Sequence, residues 1–206
     1  MRYLGVLGIL LGLGCGGGTG ILTTPGDQTG TIEDLIGQGW QLYEQGQYDG
    51  AIVKFEGVLQ LESNRSSAHN GLGWSYFRKQ DLKKARETFE KAIRFAPSSA
   101  DAFVGLAGVA LSEGDAGKNR EKYSEVIVNA NQALLLEAAY TSNHDRLTWH
   151  HVRLILAQAY FYLGKYTKEQ SPDPNNAEAQ IRKIDVSFAY TTPANLLKKI
   201  EDLVRG

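Results

Sequence analysis

Three of the four histidines of this chain crowd into "NHDRLTWHH": His144, His150 and His151, with Asp145 beside the first. Imidazoles combined with a carboxylate are a ligand set for a zinc-type ion, so a metal-dependent enzyme centred on these residues is one reading. The spacing argues against it. His150 and His151 are adjacent, so on a helix they point about 100° apart, and no cysteine or glutamate stands at ligand spacing. Histidine and aspartate at a helix start more simply cap and pack. No glycine-rich phosphate loop precedes a helix, and no nucleophile elbow is present. The sequence therefore reads as a non-enzyme with no metal or cofactor, and the histidine enzyme stands as the alternative.

The other reactive side chain is Cys15, the only cysteine. It has no internal disulfide partner. Before it, Arg2 supplies a positive start and Tyr3 to Leu13 an apolar run, too short to span a bilayer but long enough for a secretory signal. Gly14 precedes the cysteine, and Gly12 stands three residues before it. This segment resembles a bacterial lipoprotein signal, although that family prefers leucine where Gly12 stands. The resemblance implies cleavage after Gly14 and lipid on Cys15, each buried methylene contributing about 0.8 kcal/mol to anchoring. An ordinary cleaved signal with an incidental cysteine is the alternative. Gly16 is not the aspartate that retains such proteins at the inner membrane, which favours the periplasmic face of the outer membrane. Residues 15–31 are rich in glycine and threonine and read as a flexible tether.

Formal charge is −1, and no basic cluster marks a face, which argues against a nucleic-acid partner. What positions any working residue must then be sought in the chain's periodicity. "GWQLYEQGQYDGAIVKFEGVL" begins at Gly39 and "GWSYFRKQDLKKARETFEKAI" at Gly73. Gly39 and Gly73, Trp40 and Trp74, Ala51 and Ala85, and Phe55 and Phe89 are each 34 residues apart, the period of a stacked helical hairpin. The stretch resembles the tetratricopeptide repeat (TPR) family. Tyr76 fills the family's aromatic position where the first copy has Leu42. The second helices carry Ala51, Phe55 and Val58, then Ala85, Phe89 and Ala92. Pro97 closes the second copy, where the first has Ser63. The resemblance implies an all-α fold: a TPR-type α-solenoid of antiparallel helix hairpins with a C-terminal capping helix. Small residues such as Gly39 and Ala51 let the paired helices approach, and Phe55 and Phe89 reach into the seam with the next hairpin. One hairpin alone buries too little to fold, so hairpins must stack.

Later copies are degenerate. Leu106, Ala107 and Ala110 suit a third first helix, with Gly114 at its turn. Val126, Ala130 and Ala133 then match a second helix only after seven extra residues, which a lengthened helix could absorb. Leu156, Ala157, Tyr160, Gly164 and Tyr166 suit a fourth, whose partner starts near Ala177. Thr192, Pro193 and the stripe Leu196, Ile200, Leu203 predict a capping helix. The expected divisions are 1–14 signal, 15–31 tether and 32–206 solenoid. Its repeats lie near 32–65, 66–99, 100–140 and 150–187, with the cap at 193–205.

Each first helix carries a second apolar stripe: Ile36, Trp40 and Tyr43, then Asn70, Trp74 and Phe77, with Leu111 in the third copy and Gln158 and Phe161 in the fourth. In the family this stripe faces the concave groove that receives partner segments. The resemblance therefore implies a protein or peptide partner on these residues, with Asn70, Arg78 and Gln158 fixing its register. The family's clamp for a terminal carboxylate is not implied, because tryptophans stand at its lysine and asparagine sites. Apolar area left in water costs about 25 cal/mol per Å², so something must cover these rings. Besides a partner, the candidates are a second copy in a homodimer and the chain itself, through the stretch from Tyr140 to His151 or the C-terminal helix. The function implied is a lipid-anchored scaffold or adaptor of the bacterial envelope.

Overall fold

Helices account for all the regular elements among the described residues of the computed structural model, which are 27–172 and 174–205. The signal-like segment 1–14 and Cys15 lie outside them. In chain order the helices are α1 (Asp27–Glu44), α2 (Tyr48–Leu61), α3 (Ser66–Arg78), α4 (Leu82–Phe95), α5 (Ala100–Gly117), α6 (Arg120–Leu136), α7 (Trp149–Tyr162), α8 (Ala177–Ile184) and α9 (Pro193–Arg205). Most of the expected tether also lies outside the described residues, and its last residues are helical, since α1 begins at Asp27 and runs through Gly30. One glycine costs a helix only about 1 kcal/mol, which the rest of an amphipathic helix offsets.

Local chemistry sets the boundaries. Side chains of Asp81, Ser99, Asn119 and Asn176 each accept from a backbone N–H in the first turn of α4, α5, α6 and α8, satisfying donors that a helix start leaves unpaired. Thr192 does the same for α9, accepting from the Asn195 N–H at 3.1 Å. Each hairpin reverses through one left-handed residue: Gly46, Gln80, Lys118 and Gly164. The third turn is thus at Lys118, and not at Gly114 as the repeat register predicts. Gly114 instead lies within α5, where a Cβ would stand 3.0 Å from the Tyr123 ring of α6. The extra residues of this hairpin are shared between its helices. α5 has 18 residues against 13 in α3, and α6 has 17 against 14 in α4.

The seams show why the glycines recur. Phe55, fully buried on α2, lies against Gly39 of its own hairpin and Gly71 of the next. Phe89 repeats the arrangement between Gly73 and Gly105. At the third seam the residue types differ: buried Ala130 holds the register of the phenylalanines, and half-buried Ile155 that of Gly71 and Gly105. An ion network reinforces the second seam. Arg86 of α4 pairs with Glu113 of α5 at 2.7 Å and with Glu125 of α6, and Lys122 joins both carboxylates. First helices touch across hairpins, α1 with α3, α3 with α5, α5 with α7 and α7 with α9. Among the described residues the second helices α2, α4, α6 and α8 do not touch one another. The stack therefore bends with its first helices on the inner, concave side. α9 takes the place of a fifth first helix, with Leu196 and Ile200 buried.

Two tests follow from this packing. A Cβ at Gly71 would stand 2.3 Å from the Phe55 ring. Gly71→Ala should lower stability by about 1–3 kcal/mol in urea unfolding, although alanine at an unobstructed helical site stabilises. Equal or higher stability would mean that the seam is slack. The second test concerns His69 on α3, buried, with Nε2 3.0 Å from the Ser63 carbonyl and Nδ1 unpartnered. Burial pushes its pKa down, so folding favours the neutral ring. That contribution is complete above the unfolded value near 6.5 and is lost as pH falls through the lower folded value. His69→Gln should therefore shrink the drop in melting temperature between pH 7.5 and pH 5, and an unchanged drop would contradict the assignment.

Candidate functional site: the concave face and the segment across it

The second stripe belongs to α1, α3, α5 and α7, the helices on the inner side of the stack, and its N-terminal half is not open. Ile36, Trp40, Tyr43, Asn70 and Trp74 are buried, Trp40 at 8% and Trp74 at 3% exposure. This corrects the expectation of an accessible aromatic groove at these five positions. The cover includes the chain's own connection between α6 and α7. That stretch folds back on itself: Thr141 bridges to Thr148, Ser142 N donates to Leu147 O at 2.8 Å, and Trp149 N donates to Tyr140 O at 2.7 Å. Inside the turn, Ser142 Oγ accepts from the backbone N–H of His144 and of Asp145.

Three side chains fasten this clip to three first helices. The His144 ring lies flat on Trp40 of α1, centroids 3.6 Å apart and planes 5° from parallel. Asp145 Oδ2 accepts from the Tyr43 hydroxyl at 2.5 Å, and its Oδ1 lies 3.9 Å from the Arg78 guanidinium of α3. The Tyr140 hydroxyl donates to Oδ1 of Asp101, on the first turn of α5. The other Asp101 oxygen accepts from Trp74 Nε1 at 2.6 Å and Asn70 Nδ2 at 2.7 Å. Burial, and then a carboxylate neighbour, hold both phenols above the ordinary tyrosine range, with Asp145 acting on Tyr43 and Asp101 on Tyr140. Both stay protonated and serve as donors toward those carboxylates.

The remaining expected residues divide in two. Phe77, Leu111, Gln158 and Phe161 are half-buried and Arg78 is exposed. Gln158 Nε2 donates to Asp115 at 3.4 Å and Arg78 Nε to the Tyr48 hydroxyl at 3.1 Å, so both polar groups already have partners within the chain. Beyond them, Phe161, Gln158, Leu197, Ile200 and Val204 line a cavity of about 240 Å³ between α7 and α9. The histidine cluster is dispersed over other tasks. His150 stacks on Trp149 at 3.6 Å, and His151 Nδ1 accepts from the Thr148 backbone at the start of α7. Among the described residues no three His, Cys, Asp or Glu side chains gather as a metal site.

Asp101 is the central residue that sequence reasoning missed, because its 34-residue register partner is Ser67 and the repeat pattern gives it no role. The signal for the clip was the long stretch between α6 and α7, since an insertion of that length in a solenoid of short turns must be placed somewhere.

The tetratricopeptide repeat family model matches residues 36–100 and 85–133. Among solved structures, a mutant O-GlcNAc transferase of Thermobaculum terrenum is 20% identical with a TM-score of 0.59; the alignment covers 72% of this chain and 25% of that one. This chain therefore spans only a quarter of that protein's length. A thermophilic TPR protein of Thermus thermophilus is 18% identical with a TM-score of 0.58, covering 84% of each chain. The MamA protein is 17% identical with a TM-score of 0.57, covering 80% of this chain and 81% of its own. No curated protein matches. The shared property is the fold, an all-α TPR-type solenoid.

Asp101 offers the test of this site. Asp101→Ala strips the acceptor from Asn70, Trp74 and Tyr140 together, and each buried group left unpaired costs about 1–3 kcal/mol. Unfolding in urea should show a loss of at least about 2 kcal/mol, with a red shift of tryptophan emission. Wild-type emission and stability would contradict the assignment of Asp101 as the hub of this face.

Proposed function

We propose that this protein is an interaction scaffold, held at a bacterial membrane through lipid on Cys15, whose concave face takes a segment of a partner protein. One observation carries the reading. The concave face already holds a length of polypeptide, and it does so with side chains of three successive first helices. Trp40 supplies a flat surface, Tyr43 and Arg78 hold a carboxylate, and Asp101 accepts a donor. A face that grips one chain segment by such features has the chemistry to grip another.

The C-terminal half of the same face, with Leu111 of α5 and Phe161 of α7 and with Phe77 of α3 at its border, is where a partner would extend. Repeats fixed by the Phe55 and Phe89 seams give that surface a set curvature, which lowers the ordering cost of binding. The lipid and the outer-membrane, periplasm-facing position belong to this proposal through the signal-like start and Gly16. Fold by itself does not select a pathway.

The experiment is site-specific photo-crosslinking in the native cell from position 111 or 161, combined with fatty-acid labelling of Cys15. The reading predicts label lost in Cys15→Ser, and one discrete crosslinked protein lost in Phe77→Ala/Phe161→Ala while the variant, though less stable because both rings pack on the core, keeps its helical content. Absence of any discrete adduct from both positions would overturn it.

A further inference from the structure

We infer that the 140–148 clip is a built-in ligand, and that the partner segment of this face has the clip's chemistry: a tight turn with a hydroxyl donor, then a flat ring four residues on, then a carboxylate. This deepens the proposed scaffold reading and rests on it. The spacing is that of Tyr140, His144 and Asp145. The donor meets Asp101, the ring lies on Trp40, and the carboxylate sits between the Tyr43 hydroxyl and Arg78.

Three features mark the clip as an occupant and not as core. The first is how little of it is buried: within 140–146 only Tyr140 is buried, while Thr141, Asn143 and Arg146 are exposed. Its departure would uncover aromatic groups but would leave the Phe55 and Phe89 seams untouched. The second is that its turn is closed by its own hydrogen bonds, the Thr141–Thr148 bridge and the Ser142 hydroxyl contacts. It can swing away as a unit without leaving those backbone groups unpaired.

The third feature is an incomplete fit. A polar cavity of about 190 Å³ remains where the clip meets the helices, lined by Trp40, Ser67, Asn70, Asp101, Tyr140 and His144 among others. Asn70, one of the lining residues, keeps its Oδ1 atom buried without a donor. A buried acceptor without a partner is a standing cost. A partner segment that fills the cavity and gives Asn70 an N–H replaces every contact of the clip and adds one. Because partner and clip compete, the apparent affinity of the intact protein falls by the fraction of molecules whose face is open.

The test uses the full chain and a labelled synthetic peptide of residues 139–149, AYTSNHDRLTW. Hosts are the wild type, His144→Ala/Asp145→Ala, and a chain with a protease site inserted after the exposed Asn143 and cut once folded. Fluorescence anisotropy should show the peptide binding the double variant and the cut chain at least tenfold more tightly than the wild type. A peptide with alanine at the histidine and aspartate should bind none of them. Iodide should quench tryptophan more in the opened hosts and less again when peptide is added. The cut chain keeps the test decisive if the double variant is poorly folded. Equal affinity for all hosts, or no saturable binding to the cut chain, would overturn the inference. If crosslinks from positions 111 and 161 persist in that case, only the chemistry assigned to the partner has failed. Their loss would overturn the scaffold reading itself.

Discussion

The ring of Phe55, held between a glycine of its own hairpin and a glycine of the next, is the contact on which the rest of the molecule depends. Gly39 and Gly71 clear the space on either side of it, and Gly73 and Gly105 clear the same space for Phe89. Each ring therefore fixes both the crossing within a hairpin and the step to its neighbour. Those steps bring the first helices together across hairpins and keep the second helices apart. The concave face, its aromatic stripe and its curvature are consequences of where two phenylalanine rings can fit.

Curvature alone would leave a row of large rings in water, at about 25 cal/mol for each Å² of apolar area. The chain meets that cost locally, by returning the α6–α7 connection over the N-terminal half of the face. The arrangement differs from a hydrophobic core in kind. The centre of each of the two phenylalanine seams is a ring against glycine backbone, with charged pairs only at the rim of the second. The clip is fastened by one stack, two phenol-to-carboxylate hydrogen bonds, a long contact of His144 Nδ1 with Glu44 at 3.4 Å and a loose ion pair, around a partly polar cavity. Packing of the first kind changes in all-or-none fashion with folding, whereas polar attachments of the second kind can open locally.

How far the sequence discloses this follows from which residues obey the 34-residue period. The solenoid, the need for small residues such as Gly39 where paired helices cross, and the reach of Phe55 and Phe89 toward the next hairpin all rest on periodic residues and are legible, whereas the contact of each ring with the glycine of its own hairpin is not. Gly71 and Gly105 are periodic too, but only the placed ring of the preceding hairpin reveals their purpose. The third turn escapes the pattern because α5 continues past Gly114, using the missing side chain for close approach to Tyr123. The clip escapes it altogether. Tyr140 to His151 was one of the candidates for covering the aromatic rings, yet nothing in the period distinguishes it from a partner or a second copy. Asp101, a non-repeating residue, joins the clip to the repeats, and its partners lie 27, 31 and 39 residues away along the chain.

The claim that matters most is that the concave face is closed by a displaceable segment while the seams are permanent. Native-state hydrogen exchange of the Trp40 and Trp74 indole N–H groups, compared with the backbone amides of Gly71 and Gly105, measures that distinction directly. The account predicts that the indoles exchange through an opening of much lower free energy than global unfolding, and that the glycine amides exchange only with global unfolding. Indoles and seam amides exchanging at one common free energy would contradict it, because the clip would then be part of the core.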